Sequence, residues 1–563
     1  MGVNSVGLPC TMSSKPLSIS RFSFYSFLFL STLICVEACH SDQEKKKKSS
    51  DKTIVKASVE INNVVKFLTN KLDDSSSSII LLNDTLHEMK SLREMYSATK
   101  YYPFWLNEEG VSKKVSDYIT ILADISNDGL QAEDYNLSKI RDVLEGLKSK
   151  AVNESEIGEF ELLLTASFLK LSNDMMMGKD TVTHKKDWKI KNDSLGNFAM
   201  SLAKELDSTD VNTIVAHLRP EMGHYNAFRN EYKRLDMIRT KGGWPKVTEV
   251  RSESFSTAAT NPAFLVLRKR LFIEIGIPKD TVSMQWNEDL VEAIRKFQHL
   301  NYIKLSGKPD TTTINKLNIN VETKLRSLAL NMERLRWMKQ KFPQPYIWVD
   351  VPKMEVDYVE DDKVQFNMRV VVGRPGRPTT MLVSPLANIV FNPTWTVPPT
   401  IMKEDVIPGV ARRGGSYLSR RGLKAYDSRG RVVNASAITR KNFRNYRVGQ
   451  APGHRNSLGH VKFNLPNPWS IYLHDTPHRE DFPKFYRALS SGCIRVHHPK
   501  EFAAFLLRDS TKYSAPMIDS IVQKRKTIFV PVERNIDVHI VYLTNALDST
   551  GQVMYLKDIY KWD

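Results

Sequence analysis

The sequence predicts a multi-domain α+β protein: a helical N-terminal half, a small three-helix unit and a β-rich C-terminal domain. Three observations predict this. The chain has 563 residues, more than one hydrophobic core of ~100–200 residues accommodates. Apolar residues recur at helical spacing as far as Trp337. Beyond it strict alternation takes over, clearest at Val364, Phe366, Met368, Val370 and Val372.

Composition narrows the class. An apolar content of 41% with 9% aromatics fits an ordered globular chain. The formal charge of +18 attracts polyanions: nucleic acid, anionic lipid or an anionic cell wall. No nucleic-acid motif, zinc-ligand spacing, Walker pattern or dinucleotide glycine pattern is present. Nucleic acid is therefore not an expected partner, and no metal or cofactor is expected.

The elements follow in order. Residues 1–39 carry Lys15 and Arg21, then an apolar run over 22–36, ending Val36-Glu37-Ala38-Cys39. The run is short for a membrane span and suits a signal segment. A small residue before Cys39 resembles a bacterial lipoprotein processing site; ordinary signal cleavage and an uncleaved anchor are the alternatives. Each exports the chain. Residues 40–88 read as a polar tether, with Lys45 to Lys48, Ser75 to Ser78 and one helix at 54–68.

Residues 89–258 read as a helical domain, with Leu162, Ala166, Leu169 and Asn173 on one face. Tyr102-Pro103-Phe104-Trp105 read as core, and Met175 to Met177 as packing. Residues 259–320 read as three helices. Asn261 caps the first, with Pro262 in its opening turn, and Gly276 ends it. Leu290, Ala293, Ile294 and Phe297 mark the second, and Asp310 caps the third. Residues 321–343 form a linker helix, with Leu325, Leu328, Met332 and Leu335 on one side. Residues 344–535 form the β-rich domain, with short strands at 389–391, 461–463, 471–473 and 528–532. An acidic turn, Glu360-Asp361-Asp362, precedes the alternating strand. The stretch 403–447 lacks alternation and is rich in Arg and Gly. Residues 536–563 read as a C-terminal hairpin extension.

Chemistry concentrates in two segments. Cys10, Cys35 and Cys39 fall in the leader, which leaves Cys493 as the one cysteine of the exported chain. A lone thiol forms no internal disulfide and no Cys-rich metal site. It is either a nucleophile paired with a histidine or a buried structural cysteine. Cys493 sits in Ser490-Ser491-Gly492-Cys493-Ile494-Arg495-Val496, 19 positions after His474 in Ile471-Tyr472-Leu473-His474-Asp475-Thr476-Pro477.

These segments resemble the active-site signature of the L,D-transpeptidases with a YkuD-type catalytic domain, in the spelling of the large multi-domain YcbB-like subgroup. Asn392-Pro393-Thr394-Trp395-Thr396-Val397-Pro398, Leu458-Gly459-His460-Val461-Lys462-Phe463 and Asn331-Met332-Glu333-Arg334-Leu335-Arg336-Trp337 match the same subgroup in order. The resemblance implies a mixed β-sandwich catalytic domain with a lid at about 403–447, a helical scaffold domain and a peptidoglycan-binding-like three-helix domain. It implies acyl transfer on peptidoglycan stem peptides through a thioester, giving 3→3 cross-links, and acylation of Cys493 by carbapenems. The implied setting is the periplasm, membrane-tethered, with stem peptides, glycan and other cell-wall synthesis proteins as partners. An L,D-carboxypeptidase, a protein-attaching transpeptidase and a non-catalytic wall-binding lipoprotein are the alternatives.

Roles follow. Cys493 is the expected nucleophile and His474 its base and later acid, as a thiolate–imidazolium pair. Gly492 suits a turn at positive φ, and the Gly492 and Cys493 N–H groups are expected oxyanion donors. Ser491 belongs to the same turn. Arg495 pairs with a carboxylate, more naturally one of the protein. Asp475, or a backbone carbonyl nearby, orients the His474 ring. Tyr472 and Trp395 line the donor groove or pack in the core. His497 and His498 read as exposed residues at a helix start.

Overall fold

The computed structural model describes residues 53–56, 60–73, 78–81, 84–86, 89–149, 153–179, 188–189, 197–248, 260–339, 341–439 and 441–563. The expected leader, with Cys39, lies outside them. Among the described residues no helix is long and apolar enough to cross a membrane.

The helical unit is built around the helix Glu154–Met177. Asn153 caps it, accepting the Glu156 N–H at 2.9 Å. Leu162, Ala166 and Leu169 are buried, as their spacing predicts, but so are Phe160, Leu163 and Leu164. Helices Ile61–Asp73, Met89–Ala98 and Leu137–Ser149 surround it. Glu161 is enclosed with it, accepting from the N–H groups of Phe104 and Trp105 at 2.7 and 3.1 Å. Burial raises this carboxyl to about 7. Phe104 and Trp105 are core, whereas Tyr102 is exposed.

The polar tether expected at 40–88 needs correcting. The strand Thr53–Lys56 pairs with Gly110–Ser112, and helix Ile61–Asp73 buries Val64, Leu68 and Leu72 in the helical core. The one helix expected at 54–68 is found shifted to Ile61–Asp73, with a strand at Thr53–Lys56 before it. Three apolar residues at i, i+4 and i+8 outweigh the polar composition around them.

The three-helix unit comprises Pro262–Ile275, Glu288–Leu300 and Thr311–Leu317. Asn261 accepts the Ala263 N–H and Asp310 the Thr313 N–H, and Gly276 closes the first helix at φ +72°. Phe264, Leu267, Leu290, Ile294 and Phe297 form its small core.

The linker helix Val321–Arg336 buries Leu325, Leu328, Met332 and Leu335, as expected. It also buries Asn331, Glu333, Arg334 and Arg336, each with partners from elsewhere in the chain. Glu333 accepts from the Trp337 indole, the Lys179 N–H and the Arg336 guanidinium. Arg336 also donates to the Asp128 carbonyl and to the Tyr225 hydroxyl. Arg334 pairs with Asp563 at 2.8 Å, and Asn331 donates to Thr544 and Asn545.

The C-terminal domain is one curled mixed sheet of twelve strands, where two packed sheets were expected. Its middle runs Val461–Asn464, Leu473–His474, Ile494–Val496, Lys363–Gly373, Glu355–Glu360, Tyr346–Asp350 and Asp537–Val541. Trp188–Lys189, from the helical region, adds a parallel strand at one edge. Asp361 and Asp362 take φ of +53° and +57°, the twist a two-residue hairpin turn needs. In the alternating strand Met368, Val370 and Val372 are buried, but Val364 is 56% exposed because the strand's start projects past the core. The strand Asp537–Val541 is integral to this sheet. Of the extension expected at 536–563, only Asn545–Leu547 and Val553–Tyr555 pair as a separate hairpin.

The stretch 403–447 is folded, with a core of Val406, Ile407, Tyr417 and neighbouring apolar residues, and Val397 and Val448 at its root. Its helices are short and its strands hold two to four residues, too few to show a period. Gly409 must be glycine, since a Cβ there would lie 2.2 Å from the Tyr417 ring.

Two histidines, His539 buried and His224 half-buried, lie where the helical unit, linker and sheet meet. His224 stacks on Trp348, and His539 lies against Phe342 at 4.2 Å with neither ring nitrogen hydrogen-bonded. Burial lowers each pKa to about 4, with Lys353 and Lys339 adding to it respectively. Each therefore stays neutral folded, yet takes up a proton on unfolding below its ordinary value of about 6.5. The stability is present above that value and lost as pH falls towards 4. His539→Phe is expected to lose less stability between pH 7 and pH 4.5 than wild type in denaturant unfolding. An identical loss would contradict the assignment.

Candidate active site

The strand Leu473–His474 runs parallel to Ile494–Val496, with Leu473 opposite Ile494 and His474 opposite Arg495. The Ile494 N–H donates to the Tyr472 carbonyl, which brings Cys493 beside Tyr472. On the other side the ladder is antiparallel, with Lys462 opposite His474. Side chains two residues apart share a face. Tyr472, His474, Cys493 and Arg495 accordingly form one patch, and all four line a cavity of about 500 Å³. Trp395, Ser491 and Gly492 line it too.

His474 is held from behind. Its Nδ1–H donates to the Asp475 carbonyl at 2.5 Å, and the Asp475 N–H donates to the Val461 carbonyl at 2.8 Å. That bond assigns the tautomer and leaves Nε2 as the basic nitrogen. The main-chain carbonyl therefore orients the ring. The Asp475 carboxylate is committed elsewhere: it accepts from the N–H groups of His460 and Thr476 and pairs with Arg479. Of the two expected ways to orient the ring the carbonyl holds, and the Asp475 carboxylate braces its surroundings instead.

Charge sets the protonation states. Burial lowers the His474 pKa to about 3, and Arg495 and Lys462, its two ladder neighbours, push it the same way. Burial also raises the Cys493 thiol, although the Tyr472 N–H, Lys462 and Arg495 oppose that rise. Both shifts favour the neutral thiol and imidazole over the ion pair that was expected. In that state the thiol donates to the Ser470 carbonyl at 3.5 Å. Ser470 takes a left-handed φ of +56°, in a turn where Asn467 accepts the N–H groups of Trp469 and Ile471.

The turn before Cys493 has the predicted conformation, with Gly492 at φ +120°. Its donors differ from expectation. The Gly492 N–H is spent on the Ser490 hydroxyl at 3.1 Å, whereas the Cys493 N–H has no acceptor among the described residues. The oxyanion role falls to Cys493 alone in this turn. The Gly492 carbonyl accepts from Thr379 at 2.8 Å. The Thr379 N–H donates to the Tyr560 hydroxyl, which donates to the Gly373 carbonyl. The C-terminal tail therefore braces the turn before Cys493.

Arg495 pairs with Asp481 at 3.1 Å, the structural pairing expected for it. Ser491 is exposed and accepts from Arg377, which also holds Glu404 and Asp405 of the lid. Tyr472 is buried and stacks under the Lys462 ammonium at 4.2 Å. Trp395 is half-buried at the cavity wall. His498 is exposed and precedes the helix Pro499–Leu507, as read from the sequence. Lys462, Thr379, Tyr560 and Arg377 were not singled out. Only Lys462 had a signal, since it stands in the quoted Leu458–Phe463 motif and falls on the same ladder as His474.

Residues 344–523 match the family model described as the L,D-transpeptidase catalytic domain, YkuD. Residues 90–231 match that described as the Scaffold domain. The C-terminal unit is a YkuD-type L,D-transpeptidase catalytic domain. A Haemophilus influenzae protein named "Putative L,D-transpeptidase" is 32% identical over 297 residues, covering 51% of this chain and 59% of that relative. Two solved structures are also similar. That of the Ldtfm-avibactam carbamoyl enzyme is 14% identical, with a TM-score of 0.18, over 36% of this chain and 51% of its own. That of a Stackebrandtia nassauensis L,D-transpeptidase is 14% identical, with a TM-score of 0.17, over 53% and 96%.

The YkuD cavity contains what acyl transfer needs: a thiol, an imidazole with its basic nitrogen unoccupied, and a backbone N–H in the nucleophile turn. Lys462 and Arg495 work in two directions, disfavouring imidazolium while favouring thiolate. Lys462→Met is expected to raise both the His474 and the Cys493 pKa. The acid limb of Cys493 acylation should move to higher pH, and the rate at pH 7 should fall on the order of tenfold. A parallel loss at every pH, with no movement of the limb, would contradict this role.

Proposed function

We propose that the protein is a peptidoglycan L,D-transpeptidase that forms 3→3 cross-links through a Cys493 thioester. The observation that carries this is His474, with its Nδ1 tied to a carbonyl and its Nε2 left as the base, in the same cavity as the Cys493 thiol. In the first step His474 Nε2 takes the thiol proton as sulfur attacks the carbonyl between an L-centre and a terminal D-residue. The oxyanion accepts from the Cys493 N–H. The C–N bond breaks, the His474 proton passes to the departing D-amino acid, and a thioester remains. In the second step an amine of a neighbouring stem attacks the thioester carbonyl. Its proton returns through His474 to the leaving thiol. Proton transfer concerted with attack suits a pair that is neutral at rest.

The chain's charge of +18 supports a polymer substrate rich in carboxylates. The three-helix unit would hold the enzyme on that polymer, and the leader would place it in the periplasm, membrane-tethered through Cys39 or an anchor helix. Carbapenems would acylate the same thiol.

The test is mass spectrometry of purified protein incubated with disaccharide-tetrapeptide, wild type beside Cys493→Ala. A dimer that has lost one D-Ala is expected with wild type, and none with the variant. Cross-linking by Cys493→Ala would overturn the proposal. Cys493-dependent tripeptide without dimer would replace it with an L,D-carboxypeptidase.

A further inference from the structure

A second cavity, of about 870 Å³, lies beyond Trp395 and shares Trp395, Ile401, Asp405, Ser457 and Arg495 with the catalytic one. Its wall carries Arg374, Arg420, Arg421, Arg455, His454 and His478. Its one carboxylate, Asp405, is already engaged bidentately by Arg377 at 2.6 and 3.0 Å. Among the described residues Arg374, Arg420, Arg421 and Arg455 have no carboxylate within ion-pair distance, and Arg421 lies 4.1 Å over the Tyr417 ring.

The sequence of the lid says the same. Residues 403–447 hold twelve Lys and Arg against three Asp and Glu, a net +9, half the charge of the whole chain. All three acids are spoken for: Glu404 and Asp405 by Arg377, and Asp427 by Arg431. The surplus therefore has no acidic partner left in the lid, and Arg420 and Arg421 line a chamber that shares a wall with the catalytic cavity. Arg420, Arg421 and Arg455 stand exposed along this wall, with Tyr417 of the lid core beneath Arg421. An array of unpaired arginines around a cavity is a carboxylate receptor, since each offers a planar fork of donors.

We propose that this chamber is the acyl-acceptor subsite, which takes a carboxylate-bearing stem peptide and delivers its amine past Trp395 to the thioester. This rests on the transpeptidase reading above and assigns the two substrates to two cavities. The donor occupies the smaller one and leaves its acyl group on Cys493. The acceptor amine then forms the new C–N bond as the C–S bond breaks, and its proton leaves through His474. Arg374, Arg420, Arg421 and Arg455, which line the second cavity and not the first, act on the second step.

The test separates the half-reactions in full-length purified protein. Acyl-enzyme formation is read as the mass gain on Cys493 with donor tetrapeptide stem alone. Transfer is read as cross-linked dimer against concentration of a tripeptide stem, which cannot act as donor. In Arg420→Gln/Arg421→Gln, and separately in Arg455→Gln, the acceptor concentration for half-maximal transfer is expected to rise at least fivefold. Hydrolysed donor should accumulate in place of dimer. A tripeptide with amidated carboxylates should be as poor for wild type as the native tripeptide is for the variants, and should lose nothing further in them. An unchanged acceptor dependence in both variants, or a loss confined to acyl-enzyme formation, would overturn the proposal while leaving the transpeptidase reading intact. Absence of any Cys493 adduct in wild type would remove that reading, and this one with it.

Discussion

The structure depends on the buried polar residues of the linker helix. Asn331, Glu333, Arg334 and Arg336 lie within one turn and a half, and none is left to water. A buried charge is tolerated only if it is paired and hydrogen-bonded. Here the partners come from all sides: Asp128, Lys179 and Tyr225 from the helical unit, Thr544 and Asn545 from the C-terminal hairpin, and Asp563 from the end of the chain. Such a helix can be buried only when all these segments are in place. It therefore couples the helical unit to the catalytic sheet more tightly than apolar packing alone would.

That coupling reaches the catalytic turn. Arg334 holds Asp563 and the Trp562 carbonyl, and three residues before the end of the chain Tyr560 bonds Gly373 and Thr379. Thr379 in turn holds the Gly492 carbonyl. The path from linker helix to nucleophile turn runs through the last residues of the chain, which have little secondary structure. Catalytic geometry is sensitive to sub-ångström placement, so a tail that looks peripheral in sequence has a positioning role.

Much of this was legible in the sequence. Asn261, Pro262, Gly276 and Asp310 mark helix ends by local chemistry, and local chemistry survives folding. Cys493, His474 and Gly492 were legible because chemistry restricts their residue types and the flanking motifs repeat a family's order. The rest depended on tertiary partners. Helix Ile61–Asp73 was hidden by lysines and serines around three spaced apolar residues. The lid was hidden because two- to four-residue strands carry no period. The choice at Asp475 stayed open because sequence cannot say whether a carboxylate or its own carbonyl faces the ring. The Gly492 N–H was misjudged because the Ser490 hydroxyl that consumes it is brought in by the turn itself.

The shifts at Cys493 and His474 run against the ion-pair expectation. Low-dielectric surroundings disfavour charge on both groups, and the cations of Lys462 and Arg495 favour thiolate without favouring imidazolium. Under the proposed function, such a pair would transfer its proton only as the substrate carbonyl is attacked. Ultraviolet titration of the thiolate, as the difference between wild type and Cys493→Ser, tests this most directly. The account predicts no Cys493 thiolate at neutral pH and a midpoint above the ordinary thiol value of about 8.5. A thiolate signal already present at pH 6 and absent from the variant would contradict it.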